Sequence, residues 1–314
     1  MAGVSGVFES GVFVARKYDS AMVDEFWGVR LDEIPCFILM ASHVWGIWVM
    51  SYAKDPADVL YRTKEGGQGF TNLLFAAVHA SQTLGVQSAA LLWALSAVIS
   101  WLFEHVGVAT GAVYGTYHYP RNKPPWDAMA FVGHVPVGIP LTWITLFYPS
   151  YAVVNAAALG ATGAVRGLSA GRALWLAAVD GLVVTMLDLA IDPIFSHDSV
   201  QFWVWSPKGD RRWFGVPFRN YAGWAATGFS VFAAFRWLDG TGAPAPAAAA
   251  GEAHSFAFGA LPVLFYVTEA LFYAVHPRMP DGKPLPKDLE PLRIVAMFTS
   301  VFFSVFALGQ LLAQ

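Results

Sequence analysis

The stretch ALWLAAVDGLVVTMLDLAIDPIF, Ala173–Phe195, decides how the chain is read. It has the length and apolar character of a membrane-spanning helix, for which about 20 mostly apolar residues suffice. Yet it carries Asp180, Asp188 and Asp192. An ionised acid at the bilayer centre costs about 2.5–3.5 kcal/mol on insertion scales, so each is a candidate for function. The three fall on an i, i+8, i+12 series, which a 3.6-residue period gathers on one broad helical face. Such a face does not point at lipid. It lines a polar cavity or meets partners inside a helix bundle. Asp180 suits a plain bond to a neighbouring helix as well as it suits chemistry, whereas Asp188 and Asp192 suit chemistry. Pro193 favours ending the helix near Asp192.

Seven further apolar blocks surround this one: Ile34–Tyr52, Gly69–Leu84, Gln87–Val108, Ala130–Ala156, Phe218–Leu238, His254–Val275 and Leu292–Leu312. The second is short, so the expected fold is an all-α polytopic transmembrane bundle of seven to eight spans. It forms a single integral-membrane domain over residues 1–314. Residues 1–33 read as a cap segment rather than a cleaved signal. Residues 101–224 carry the motifs, and 239–253 form a Pro/Ala-rich loop containing APAPAAAA. No internal repeat shows.

Composition agrees. With 56% hydrophobic and 13% charged residues, against roughly 25% charged in soluble domains, the chain is neither a soluble globular protein nor disordered. A net charge of −3 without a basic run excludes a nucleic-acid partner. Cys36 is the only cysteine, and the eight histidines show no HxxH or HExxH spacing, so no metal site is expected. For eight spans, Lys and Arg divide six to thirteen between the two sides. The positive-inside rule then places the loops after the first, third, fifth and seventh spans in the cytoplasm. Both termini lie outside, and Arg236 is counted among the loop charges.

The third block runs into EHVGVATGAVYGTYHY, Glu104–Tyr119. Glu104, Gly111 and Gly115 are seven and four residues apart and so share one helical face, and Gly107, Gly111 and Gly115 form a small-residue stripe for close helix packing. Glu104 is thereby aimed into the bundle, and His105 points away. Glu269, with His276 seven residues on, is a third intramembrane acid, as suited to structure as to function. His43 and His79 read as structural. Two segments are dense in aromatic and polar residues: Tyr114–Pro120, and Ser196–Trp224 with the sequence SHDSVQFWVWSPKGDRRWFGVPFRNYAGW. An interfacial aromatic belt accounts for Trp126, Trp143 or Trp237. It does not account for aromatics that flank buried acids. Aromatic faces over carboxylates suit a carbocation, because π faces attract positive charge without attacking it.

At Glu104–Tyr119, Val135-Pro136-Val137 and Asp188–Trp224 the chain resembles the integral-membrane carotenoid hydratases of the γ-carotene 1′,2′-hydratase and bisanhydrobacterioruberin hydratase type. The resemblance covers about 101–224. It implies addition of water to the terminal alkene of an acyclic carotenoid end, through protonation to a tertiary carbocation and capture by water, with no cofactor. Two buried carboxyls four residues apart resist double ionisation, which keeps a proton at hand. In this reading Asp188 or Asp192 donates the proton and the other tunes it. Glu104, with Tyr117 or His118, positions the water and takes its proton. Tyr114, Tyr119, Trp203, Trp205 and Trp224 wall the chain end, and Asn220 orients. The expected partners are a lipophilic polyene or isoprenoid, the lipid bilayer of the cell membrane and other carotenoid-pathway enzymes. The active site faces the cytoplasm.

Three other readings start from the same residues. A terpene or carotenoid cyclase protonates the same alkene but quenches the cation internally. A prenyltransferase would use Asp188-x-x-x-Asp192 for Mg²⁺-diphosphate, though Val184 stands where an extended motif would carry a polar residue. A transporter would use the intramembrane acids for protons or ions, commonly within inverted repeats.

Overall fold

The computed structural model describes residues 6–9, 12–15, 25–26, 29–52, 59–207, 209, 211–241, 254–275, 278–279 and 283–313. The APAPAAAA loop and His276 lie outside them. Each apolar block carries a helix: α1 Ile34–Tyr52, α2 Val59–Thr83, α3 Val86–Thr110, α4 Gly138–Leu159, α5 Ala170–Phe195, α6 Phe218–Phe235, α7 Phe256–Val275 and α8 Pro291–Leu312. Among the described residues, α3, α5, α7 and α8 are long and apolar enough to cross a membrane. Five two-stranded antiparallel ribbons are added to the helices. The first two are β1 Gly6–Glu9 with β2 Val12–Ala15, and β3 Glu25–Phe26 with β4 Val29–Arg30. The other three join the helices that carry the site: β5 Tyr117–His118 with β8 Val204–Trp205, β6 Phe131–Val132 with β7 Val135–Pro136, and β9 Arg212–Trp213 with β10 Val216–Pro217.

Helix α4 is the hub. Every side chain from Trp143 to Ala156 is buried, and the helix packs against α2, α3, α5, α7 and α8. A helix that is apolar all round belongs in the middle of a bundle. It starts at Gly138, later than the apolar block, because the β6–β7 hairpin occupies Phe131–Pro136. Large apolar side chains such as Trp45, Trp175, Phe298 and Phe302 face outward, as a lipid-facing surface requires.

The closest helix pair is α5 with α6. A Cβ added at Gly181 would stand 2.7 Å from the Ala225 carbonyl oxygen and 2.8 Å from the Phe229 nitrogen. Without a hydrophobic drive between helices in lipid, such small-residue contacts hold them together. The stripe expected at Gly107, Gly111 and Gly115 does not form. α3 ends at Thr110, and Gly111 caps it in the left-handed conformation at φ 70°, the conformation glycine adopts without strain. Gly115 therefore lies beyond the helix. Helix α5, in contrast, continues past Asp192 and Pro193 to Phe195, so the proline does not end it there.

At the head of α1, Glu33 ties the first helix to the seventh. Its carboxylate accepts from the Ser255 nitrogen at 3.0 Å and the Ser255 hydroxyl at 2.8 Å, and stands 3.1 Å from His254 Nδ1. Burial opposes ionisation of this group, but the Ser255 and His254 hydrogen bonds outweigh it and hold its pKa below the ordinary value.

Candidate active site

The acids at the ends of α3 and α5 meet under the β5–β8 ribbon. The register pairs Tyr117 with Trp205 and His118 with Val204. Alternation along a strand sends neighbouring side chains to opposite faces. Tyr117 and Tyr119 therefore turn inward and are buried, while His118 is exposed. Of the two alternatives expected beside Glu104, Tyr117 is in the cluster and His118 is outside it. The same period puts Trp203 and Trp205 on one side, and both indoles donate to Asp192 Oδ1, at 2.7 and 2.9 Å.

Asn220, near the start of α6, joins the two aspartates. Its amide nitrogen donates to Asp188 Oδ2 at 2.7 Å and to Asp192 Oδ2 at 2.8 Å. Both aspartates are buried. Asp192 thus accepts three N–H groups. Asp188 accepts one, and its Oδ1 has no hydrogen-bond partner among the described residues.

Glu104 on α3 is linked to Asp192 across the ribbon: the ring of Tyr117, which bonds Glu104, lies 4.9 Å from the ring of Trp205, which bonds Asp192. Glu104 Oε2 accepts from the hydroxyls of Tyr117 and Tyr119, the latter at 2.8 Å, and its Oε1 from the Trp143 indole at 3.2 Å. Burial and the adjoining Glu104 hold both phenols far above the usual tyrosine range, so they remain O–H donors. Tyr114 is buried alongside, its hydroxyl 2.8 Å from that of Thr227. The Trp224 ring packs against Trp143, tilted by 38°, with centroids 4.0 Å apart. The expected residues Asp188, Asp192, Glu104, Tyr114, Tyr117, Tyr119, Trp203, Trp205, Asn220 and Trp224 thus surround one buried cluster.

Two members were not expected. Trp143 was read as belt, yet it is buried and bonds Glu104. Its spacing was a usable signal: Trp143 stands seven residues after Pro136, as Trp224 stands seven after Pro217. Tyr221, next to Asn220, is buried with its hydroxyl unpartnered among the described residues, and nothing in its local sequence marked it. Asp180, by contrast, separates from the cluster. Arg236 donates to it from Nε at 2.5 Å and from Nη2 at 3.0 Å, bonds Asn155 at 2.9 Å, and lies 4.5 Å over the Tyr151 ring. Arg236 is therefore a buried counter-ion in the π turn after α6, not a loop charge. His79 is bonded on both sides, to the Tyr148 hydroxyl at 2.5 Å and the Phe258 carbonyl at 2.8 Å, a structural arrangement. His43 stacks on Phe265 and lies 4.0 Å from Glu269.

The profile of the carotenoid biosynthesis protein family matches residues 69–277, a range that holds every residue of this cluster. Bisanhydrobacterioruberin hydratase of Haloarcula japonica is 32% identical over 129 residues, which is 41% of this chain. The aligned part spans 38% of that relative's length. No solved structure matches the chain. With the profile covering well over half of it, this membrane protein belongs to the carotenoid biosynthesis protein family.

Proposed function

We propose that the protein is a carotenoid hydratase that adds water across the terminal double bond of an acyclic polyene end. The observation that carries the reading is the inequality of the two aspartates. A carboxylate only accepts, and a carboxylic acid also donates. Asp192, with three N–H donors on it, suits the carboxylate. Asp188, with Oδ1 unpartnered and a charged neighbour four residues on, suits the acid. In the first step the Asp188 O–H bond breaks and its proton forms a C–H bond at the less substituted alkene carbon. The alkene π pair is consumed, leaving a tertiary cation. The indole and phenol rings and the Glu104 charge stabilise that cation. A water oxygen then forms the C–O bond, and its proton passes to Glu104, which keeps about one of a carboxylate's four lone-pair positions after its three donors. Return of a proton from Glu104 to Asp188 restores the starting state. Asn220 holds the pair of aspartates in register throughout.

The site-bearing loops are placed on the cytoplasmic side of the cell membrane. Withdrawing the buried Arg236 from the less basic side sharpens the charge asymmetry behind that placement. The test is expression in a bacterium that makes acyclic carotenoids, with mass analysis of the pigment. A gain of one water per reacted end supports the proposal. An unchanged mass with a new absorption spectrum would replace it by cyclisation.

A further inference from the structure

The site is assembled from two similar halves. Helix α3 and helix α5 each carry an acid within their last two turns, followed by a strand with alternating aromatics, a hairpin closing in Val-Pro, and another helix. Glu104 accepts from Tyr117 and Tyr119, 13 and 15 residues on. Asp192 accepts from Trp203 and Trp205, 11 and 13 residues on. The two strands pair antiparallel with Tyr117 opposite Trp205, and the matching Trp143 and Trp224 rings lie against one another at 4.0 Å. Each acid also accepts from the helix after its own hairpin, Glu104 from Trp143 and Asp192 from Asn220. These relations describe an approximate two-fold axis between the halves, running along helices that deliver both acids to the same end. In the sequence the halves share little beyond Val-Pro and the tryptophan seven residues on, too little to read as a repeat.

The correspondence gives Asp188 a counterpart. Asp188 stands one turn before Asp192, and Ser100 stands one turn before Glu104, on the same face of α3. Ser100 is fully buried, and its hydroxyl has no hydrogen-bond partner among the described residues. Among the described buried helical serines, Ser300 on α8 is unpartnered too, while others bond the carbonyl of the preceding turn. Ser96, one turn earlier, donates to the Leu92 carbonyl at 2.6 Å, and Ser150 to the Leu146 carbonyl at 2.8 Å. Of the side-chain polar atoms at the four acid-and-turn positions, the unpartnered ones are Asp188 Oδ1 and the Ser100 hydroxyl.

We infer that Ser100 is a positioning residue that, with Glu104, binds the attacking water, across the pseudo-axis from the proton donor. The inference rests on the hydratase reading. One half of the site supplies the proton and the other supplies the hydroxyl. The Ser100 hydroxyl donates to the water oxygen or accepts from it, and Glu104 accepts the proton that the water loses as its oxygen bonds to carbon.

The experiment separates protonation from capture. Wild type, Ser100→Ala and Ser100→Thr are purified in detergent and incubated with an acyclic carotenoid in D₂O, and both the hydrated product and deuterium in recovered polyene are followed. Reversible protonation leaves deuterium in unhydrated polyene, whereas capture consumes it. For Ser100→Ala the expected result is a fall in hydration of roughly five- to tenfold, as for loss of one neutral hydrogen bond. Deuterium exchange continues or rises, the concentration of polyene giving half-maximal rate is unchanged, and Ser100→Thr recovers hydration. Hydration at the wild-type rate in Ser100→Ala overturns the inference. So does an equal fall in hydration and exchange, the pattern of a merely structural residue. If wild type itself yields neither hydrated product nor exchange, it is the hydratase reading that fails.

Discussion

Replacing Arg236 by Met strips Asp180 of its counter-ion inside the bundle. The arginine makes two charge-assisted hydrogen bonds to Asp180, one bond to Asn155 and a cation–π contact with Tyr151, and both charged side chains are essentially inaccessible. Breaking one side of a buried ion pair costs about 3–5 kcal/mol, mostly because the remaining charge stays desolvated. Asp180→Leu, which strands the arginine instead, should cost a similar amount. The double variant removes both charges. What remains is an Asn155 oxygen without its donor, about 1–3 kcal/mol, offset by relief of the desolvation of two ions. The account predicts that the double variant is more stable than either single variant. The coupling energy is then at least about 2 kcal/mol, within the range for contacting residues. Equilibrium unfolding of the purified protein in mixed micelles measures all four corners of the cycle. The double variant should also keep its specific activity per folded molecule, since Asp180 lies outside the bonded cluster around Asn220. Additive losses, or loss of activity in a stable double variant, would refute this reasoning.

Gly181→Ala must push α5 away from the α6 backbone at Ala225 and Phe229; a loss of about 1–3 kcal/mol, seen as a lower unfolding midpoint, is expected, and an unchanged midpoint contradicts the helix contact. Glu33→Gln should destabilise the protein at neutral pH. The folded-state pKa of Glu33 lies below its unfolded value, so its contribution is fully present above the unfolded pKa and is lost as pH falls through the folded one. The gap in unfolding midpoint between wild type and variant should therefore close on acidification, and a gap that widens would count against the assignment. Tyr119→Phe removes one donor from Glu104 and should slow turnover about 10- to 100-fold, as loss of a hydrogen bond to a charged group does when it is felt in the transition state, with little change in polyene affinity.

The helical bundle is legible because length and apolarity act locally: each of the eight blocks becomes a helix. The aspartates of α5 announced a buried site because an unpaired acid in an apolar run is expensive. Asp180 could not be told apart from the other two, since its partner Arg236 is 56 residues away and looks like a loop charge in one dimension. The glycine stripe misled because a helix period was carried past Thr110, where Gly111 turns left-handed. Tyr117 and His118 could not be told apart for the opposite reason: a two-residue strand imposes a period of two that no sequence window of that length reveals. Asn220 and the Trp203/Trp205 pair were found as types. Their bridging of Asp188 and Asp192 depends on strand pairing that only the fold supplies.

The direct test of the central claim, that Asp188 hands its proton to an alkene which water then captures, is product labelling. Wild type and Asp188→Asn are incubated with an acyclic carotenoid in D₂O containing ¹⁸O. The account predicts, for wild type, at least one carbon-bound deuterium and one ¹⁸O per hydrated end, and neither label in the variant. A labelled product formed by Asp188→Asn at the wild-type rate would contradict it.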